Sequence, residues 1–251
     1  MIIDSHAHIQ EIKGSSWDSP PERLLRLMDR AGIEKAIVMP YSDMPCKGGR
    51  GVDLLQYVAN AVRKYPQRLI GYARINPCFG KEAEKLLIFA IKKLGMKGLK
   101  LHPVGYVMHP GSELTVNLIK KAEALGVPTL FHCGDEEHTL PLQIAEAAKR
   151  CPRATIILGH MGGYFHVEDA IRVAEKYPNI MLETSAMPYP YLIKKAVDRI
   201  GAERVLFASD GPGCDPLLER KKVEMAGLSS SELKLLFSEN IIRILEKVKN
   251  N

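Results

Sequence analysis

The chain has 251 residues, 46% hydrophobic and 25% charged, with a formal charge of +6; this is the composition of a soluble globular protein, not of a disordered chain, and no 18-residue apolar run offers a membrane span. The basic residues fall mostly as pairs on helical stretches, such as Lys92-Lys93 and Lys194-Lys195, so the charge argues against a nucleic-acid partner and at most favours an anionic small substrate. Five scattered cysteines, Cys46, Cys78, Cys133, Cys151 and Cys214, show no Cys-x-x-Cys spacing, and the N-terminus has no leader pattern, so a reduced, cytoplasmic setting without disulfides is expected.

In chain order, short apolar runs at residues 2–4, 35–39, 69–75, 98–101, 129–132, 155–159, 180–183 and 205–208 read as strands. Between them, residues 21–31, 54–65, 81–94, 114–125, 142–150 and 167–177 space their apolar positions at three and four, as amphipathic helices do, and several close on a Gly or Pro turn. Eight such units in 251 residues are about 31 residues each, which predicts a (β/α)₈ TIM barrel forming a single domain over residues 1–251, with its active site at the C-terminal strand ends. The rival fold, an open doubly wound sheet, lacks a Gly-x-Gly-x-x-Gly after any strand.

The first strand runs into Asp4-Ser5-His6-Ala7-His8. Alternate strand residues share a face, so His6 and His8 point one way together with Asp4, as half a metal site or as two ordinary strand histidines. His132 ends the fifth strand, His160 the sixth and Asp210 the eighth, and parity puts them on common faces with Leu130, Leu158 and Ala208. Their joint placement at one height reads as a metal site. Lys100 and His102 share a face at the end of the fourth strand, and Arg74 ends the third, where it could hold an anionic substrate group. Glu183 ends the seventh as a pocket or supporting residue. His109, His138 and His166 read as loop or capping residues, with His109 the best placed of them to touch substrate. Cys133 faces away from His132, and the glycine-rich loop 41–51 has the composition of a mobile lid.

Taken in order, Asp4-Ser5-His6-Ala7-His8, Gly159-His160-Met161-Gly162-Gly163, Ser209-Asp210-Gly211-Pro212 and Glu239-Asn240-Ile241-Ile242-Arg243-Ile244-Leu245 resemble the amidohydrolase superfamily. More narrowly, they resemble its amidohydrolase-2 group, which includes the aminocarboxymuconate-semialdehyde decarboxylase relatives. The resemblance implies one zinc-like divalent ion held by His6, His8, His132 and Asp210, with His160 as an acid/base or polarising group. In the two-metal branch, His160 is instead a ligand and a carbamylated Lys100 bridges the ions. Lys100 is otherwise a substrate-carboxylate contact or an ion-pair partner. With His102 and Arg74 it makes up the expected substrate-binding set.

A metal-bound water has its pKa lowered to about 7, and Asp210 can take up and return its proton. The expected activity is therefore hydrolysis of an amide, lactone or related acyl bond in a small anionic substrate. The alternatives are a metal-dependent nonoxidative decarboxylase of an aromatic or enol carboxylic acid, and a metal-bearing barrel without turnover. A small-molecule substrate is the expected partner, with no nucleic acid or membrane; self-association is left open.

Overall fold

The apolar runs form eight parallel strands in a computed structural model, which describes residues 1–42, 50–134 and 137–248. They are β1 (Ile3–His8), β2 (Lys35–Met39), β3 in two pieces (Leu69–Gly71 and Ala73–Arg74), β4 (Leu99–Leu101), β5 (Thr129–Phe131), β6 (Ile156–Leu158), β7 (Ile180–Glu183) and β8 (Val205–Leu206). Each pairs in parallel with the next. The ring closes where Ser5 N–H donates to Phe207 O at 3.1 Å, Asp210 N–H to His6 O at 2.8 Å and His8 N–H to Gly211 O at 2.7 Å. This is the predicted TIM barrel.

Side-chain alternation separates two cores. Ile37 and Met39 of β2, Leu130, Ile157, Met181 and Leu206 fill the barrel together with Ile3 and Tyr72, while their strand neighbours Val38, Phe131, Leu158 and Leu182 meet the surrounding helices. The first of those helices, Pro21–Ala31, shows how the sequence sets its limits. Proline opens it where no intrahelical N–H is needed, Leu24, Met28 and Ala31 form its buried face, and Gly32 ends it at φ 65°.

Several elements differ from the sequence reading. The first strand runs on to His8, the third divides at Tyr72, the sixth stops at Leu158 because Gly159 opens a tight turn, the eighth stops at Leu206, and the chain adds helices at Pro190–Ile200, Pro216–Glu224, Ser230–Lys234 and Asn240–Glu246. The last of these closes the barrel floor by placing Ile241 and Ile244 against the interior core. A π-turn at Leu235–Glu239 precedes it, and Leu236 O accepts Phe207 N–H at 2.9 Å. Asn240, fully buried, donates to Ala202 O at 2.7 Å and Val205 O at 2.8 Å, fixing this helix beneath β8.

Among the described residues no helix is long and apolar enough to cross a membrane, and Cys78, Cys151 and Cys214 are free thiols. Cys46 and residues 43–49 of the expected lid lie outside the described residues.

Asn240→Ala removes two buried hydrogen bonds, those to the Ala202 and Val205 carbonyls. It should lower unfolding stability by about 1–3 kcal/mol, read as a lower denaturant midpoint at unchanged m-value.

Candidate metal centre

The donors converge because β1 carries one extra residue. Its register against β2 runs Asp4↔Ala36, then Ala7↔Val38, so three steps on β1 match two on β2. This bulge reverses the facing of the strand: Ile3 lies in the barrel core and Ala7 in the outer core, with His6 and His8 turned inward. Asp4, expected on the histidine face, instead turns to the seam with β8. Its carboxyl accepts Ser209 N–H at 2.9 Å and the Ser209 hydroxyl, and burial pushes its pKa up to about 7.

His6 Nε2 and His8 Nε2 lie 3.1 Å apart, and Asp210 Oδ1 is 3.5 Å from the first and 3.2 Å from the second. A tetrahedral ion with N and O ligands separates its donors by about 3.4 Å, so this triplet has the spacing of a coordination face. His160 joins it: its donor atom, one of His6 and one of Asp210 all lie within 4.8 Å of one another. His132 Nδ1 is 3.0 Å from His160 Nε2.

Each ring is held in one tautomer. Glu183 Oε1 lies 2.9 Å from His6 Nδ1 and can only accept, so Nδ1 carries the proton and Nε2 keeps its lone pair. Pro40 O does the same for His8 Nδ1 at 3.3 Å. The Ser185 hydroxyl donates to Glu183 Oε1 at 3.0 Å and therefore accepts from His160 Nδ1 at 2.9 Å, leaving His160 Nε2 bare as well. Burial, reinforced by the Lys100 charge, holds His6, His8 and His132 below the ordinary imidazole range, so the rings stay neutral and ligand-competent.

His160 does not reach the site by the expected parity. Ile157, not Leu158, faces the barrel interior; beyond Gly159, His160 and Met161 take left-handed conformations at φ 59° and 47°, which swing the ring inward. Asp210 is also left-handed, at φ 57°, so local backbone strain gathers at the site. Gly134, at φ 125°, lets the turns after β5 and β6 touch, since a Cβ there would lie 2.0 Å from the Gly162 carbonyl carbon; this close approach brings His132 beside His160.

A cavity of about 380 Å³ opens over the triplet, lined by His8, Ile12, Trp17, Tyr41, Ser42, Arg74, Lys100, His102, His132 and Asp210. Arg74 and Lys100 are register partners on β3 and β4, and Lys100, 1% exposed, places Nζ 2.8 Å from His6 Nε2. His102 has the opposite tautomer. Gly105 N–H donates to its Nδ1 at 3.1 Å, so a neutral ring carries its proton on Nε2; burial and the Arg74 and Lys100 charges push its pKa down to about 2. It is a hydrogen-bond donor among ligand-type histidines. His109, His138 and His166 do not line the cavity.

The sequence reading gave Glu183 as a pocket or supporting residue and Tyr41 only as the start of a lid loop, and it missed Ser185, Gln10, Trp17 and Ile12. Glu183 shares inward parity with Met181, a signal that was present. The others sit on turns that carry no periodic pattern.

A family model described as Amidohydrolase matches residues 3–247. No curated protein matches the chain. Among solved structures, an uncharacterised TIM-barrel protein from Bordetella bronchiseptica superposes with TM-score 0.81 at 18% identity, over 98% of this chain and 99% of that one. The 2,6-dihydroxybenzoate decarboxylase from Rhizobium gives 0.75 at 18% identity, over 98% of each chain. The 5-carboxyvanillate decarboxylase from Novosphingobium aromaticivorans, complexed with manganese and 4-hydroxy-3-methoxy-5-nitrobenzoic acid, gives 0.81 at 15% identity over 98% of this chain and 96% of that one.

Glu183→Gln keeps the shape but removes the charge that orients His6 and, through Ser185, His160. It should weaken divalent-metal affinity roughly 10- to 100-fold, measured by competition with a chromophoric chelator, with the fold intact by circular dichroism.

Proposed function

The chain belongs to the amidohydrolase family, and we propose that it is a metal-dependent nonoxidative decarboxylase of a small aromatic or enol carboxylic acid. The observation that carries this reading is the cavity lining: the cationic side chains Arg74 and Lys100, the N–H donor His102 and the aromatic rings of Trp17 and Tyr41 share one space with Asp210 at the metal triplet. Its chemistry suits a flat acid, held by its anionic group and its ring face. The decarboxylase activities of the Rhizobium and Novosphingobium proteins support the same choice over acyl hydrolysis.

In this proposal His6, His8 and Asp210 hold one divalent ion, with His132 as the fourth protein ligand. When bound, the ion supplies Lewis acidity that polarises substrate oxygens. Arg74, Lys100 and His102 orient the acid. Asp210 accepts a hydroxyl proton from the substrate and returns it to the carbon that loses its carboxyl group, and the phenolate or enolate left behind takes a proton from water, so that overall R–COO⁻ and one proton become R–H and carbon dioxide. His160, whose bare Nε2 can only accept, takes up or relays a proton beside that carbon. Zinc is the expectation from imidazole donors, and manganese is the ion of the Novosphingobium complex; His and Asp ligands accept both.

The test is carbon dioxide release from a panel of hydroxylated aromatic acids and enol acids, run beside lactones and amides, before and after chelation. Turnover of an acid that is lost on chelation and restored by Mn²⁺ or Zn²⁺ is the expected result. Hydrolysis of a lactone or amide without carbon dioxide release, or undiminished turnover of metal-free protein, would overturn it.

His160→Asn should lower turnover roughly 10²- to 10⁴-fold, the range for a positioned acid or base, while elemental analysis still finds one ion per chain. Loss of that ion would make His160 a ligand.

A further inference from the structure

Gln10 lies just beyond β1 and is 8% exposed, and its side chain is spent entirely on the chain that follows β2. Its Oε1 accepts Tyr41 N–H at 2.9 Å and Ser42 N–H at 3.0 Å, and its Nε2 donates to Ser42 Oγ at 2.9 Å. Its own backbone is paired with Ser19, N–H to O in both directions at 2.8 Å, which folds the intervening Ile12 and Trp17 over the same side of the cavity. One amide thus ties together the two loops that build the apolar wall.

That wall is ordered ring by ring. Tyr41 stacks on His8 with centroids 4.4 Å apart and planes 16° from parallel, and Trp17 meets Tyr41 edge-on at 5.1 Å and 69°. Gln10 Oε1 holds the Tyr41 and Ser42 backbone N–H groups, and the far end of the Tyr41 side chain is met by the Gly213 backbone, so the ring is fixed at both ends with Gln10 setting the backbone end. Both Gln10 side-chain polar atoms are bonded to Tyr41 or Ser42, so its effect reaches ligands through these two lining residues.

We propose that Gln10 is a positioning residue that sets the flat aromatic wall of the cavity and thereby selects planar over puckered acids. The inference rests on the reading of the ligand as a carboxylic acid, but it concerns binding and not the bond that breaks. Aromatic contacts of this kind are worth a factor of roughly two to twelve in affinity.

Trp17 is the single tryptophan of the chain and lines the cavity, so its emission reports binding directly. Metal-loaded protein is titrated with benzoate and with cyclohexanecarboxylate, which carry the same charge but differ in planarity, and the ratio of the two Kd values is compared among variants. Wild type should favour benzoate about fivefold. Gln10→Leu, which cannot accept the two N–H groups, should bring the ratio close to one with metal content unchanged, and Gln10→Glu, which keeps the acceptor, should retain the preference.

Absence of a benzoate preference in wild type overturns the proposal, as does an unchanged ratio in folded Gln10→Leu. Should the leucine variant fail to fold, loss of the preference in Gln10→Glu does so instead. A preserved pattern of ratios in a protein that releases no carbon dioxide from any acid supports the wall and overturns the decarboxylase reading, so the two are scored apart.

Discussion

The hydrogen bonds that close the barrel between its first and last strands also assemble the site. Asp210 N–H to His6 O and His8 N–H to Gly211 O are backbone contacts between segments some two hundred residues apart. The side chains of those same residues, His6, His8 and Asp210, put their donor atoms within 3.1–3.5 Å. A donor triplet built across a barrel seam exists only when the barrel is closed, so closure of the barrel is what brings the three donors together. The Asp4 carboxyl, bound to Ser209 on the other strand, and Asn240, bound under β8, reinforce the same junction from inside and below.

Glu183 organises the next layer. Its two oxygens accept from His6 Nδ1, from the His160 and Ser185 backbone N–H groups and from the Ser185 hydroxyl. Burying a carboxylate is costly unless its lone pairs are satisfied, and here they are satisfied by the groups that need orienting. The turn that carries Ser185 is braced in its own right. Lys222 donates to Thr184 O at 2.6 Å, and Glu219, paired with Lys222, accepts Ala186 N–H at 3.0 Å. A partly buried ion pair on the last barrel helix thereby supports the serine that sets the His160 tautomer.

The barrel was legible in the sequence because it depends on periodic apolar spacing, which eight repeated units display plainly. His6, His8, His132, His160 and Asp210 were legible because strand ends in such a barrel share one rim. Inward facing was harder to read: the β1 bulge moves Asp4 off the histidine face, and left-handed backbone at His160 breaks the parity with Leu158. Both are single-residue departures from regular geometry, and a period-two pattern cannot contain them. The cavity wall was the least visible. Gln10, Trp17 and Tyr41 meet through loops whose course depends on specific side-chain hydrogen bonds, and no repeat or spacing records such a bond.

Histidine identity alone does not separate the roles within the site. His6, His8 and His160 each hold their Nδ1 against an acceptor and keep a bare Nε2, whereas His102 holds its Nδ1 against a backbone donor and therefore exposes an N–H. All four lie on or just beyond barrel strands, yet three keep Nε2 free to accept a cation and the fourth can donate to an oxygen. The distinction comes from what touches the opposite ring nitrogen: Glu183, Pro40 O and Ser185 for the first three, and the turn at Gly105 for the fourth. Because Pro103 fixes the start of that short turn directly after His102, the donor tautomer follows from local chain geometry and needs no charged neighbour. In the proposed site a substrate oxygen between the two kinds of ring would meet the bound cation on one side and a neutral hydrogen-bond donor on the other.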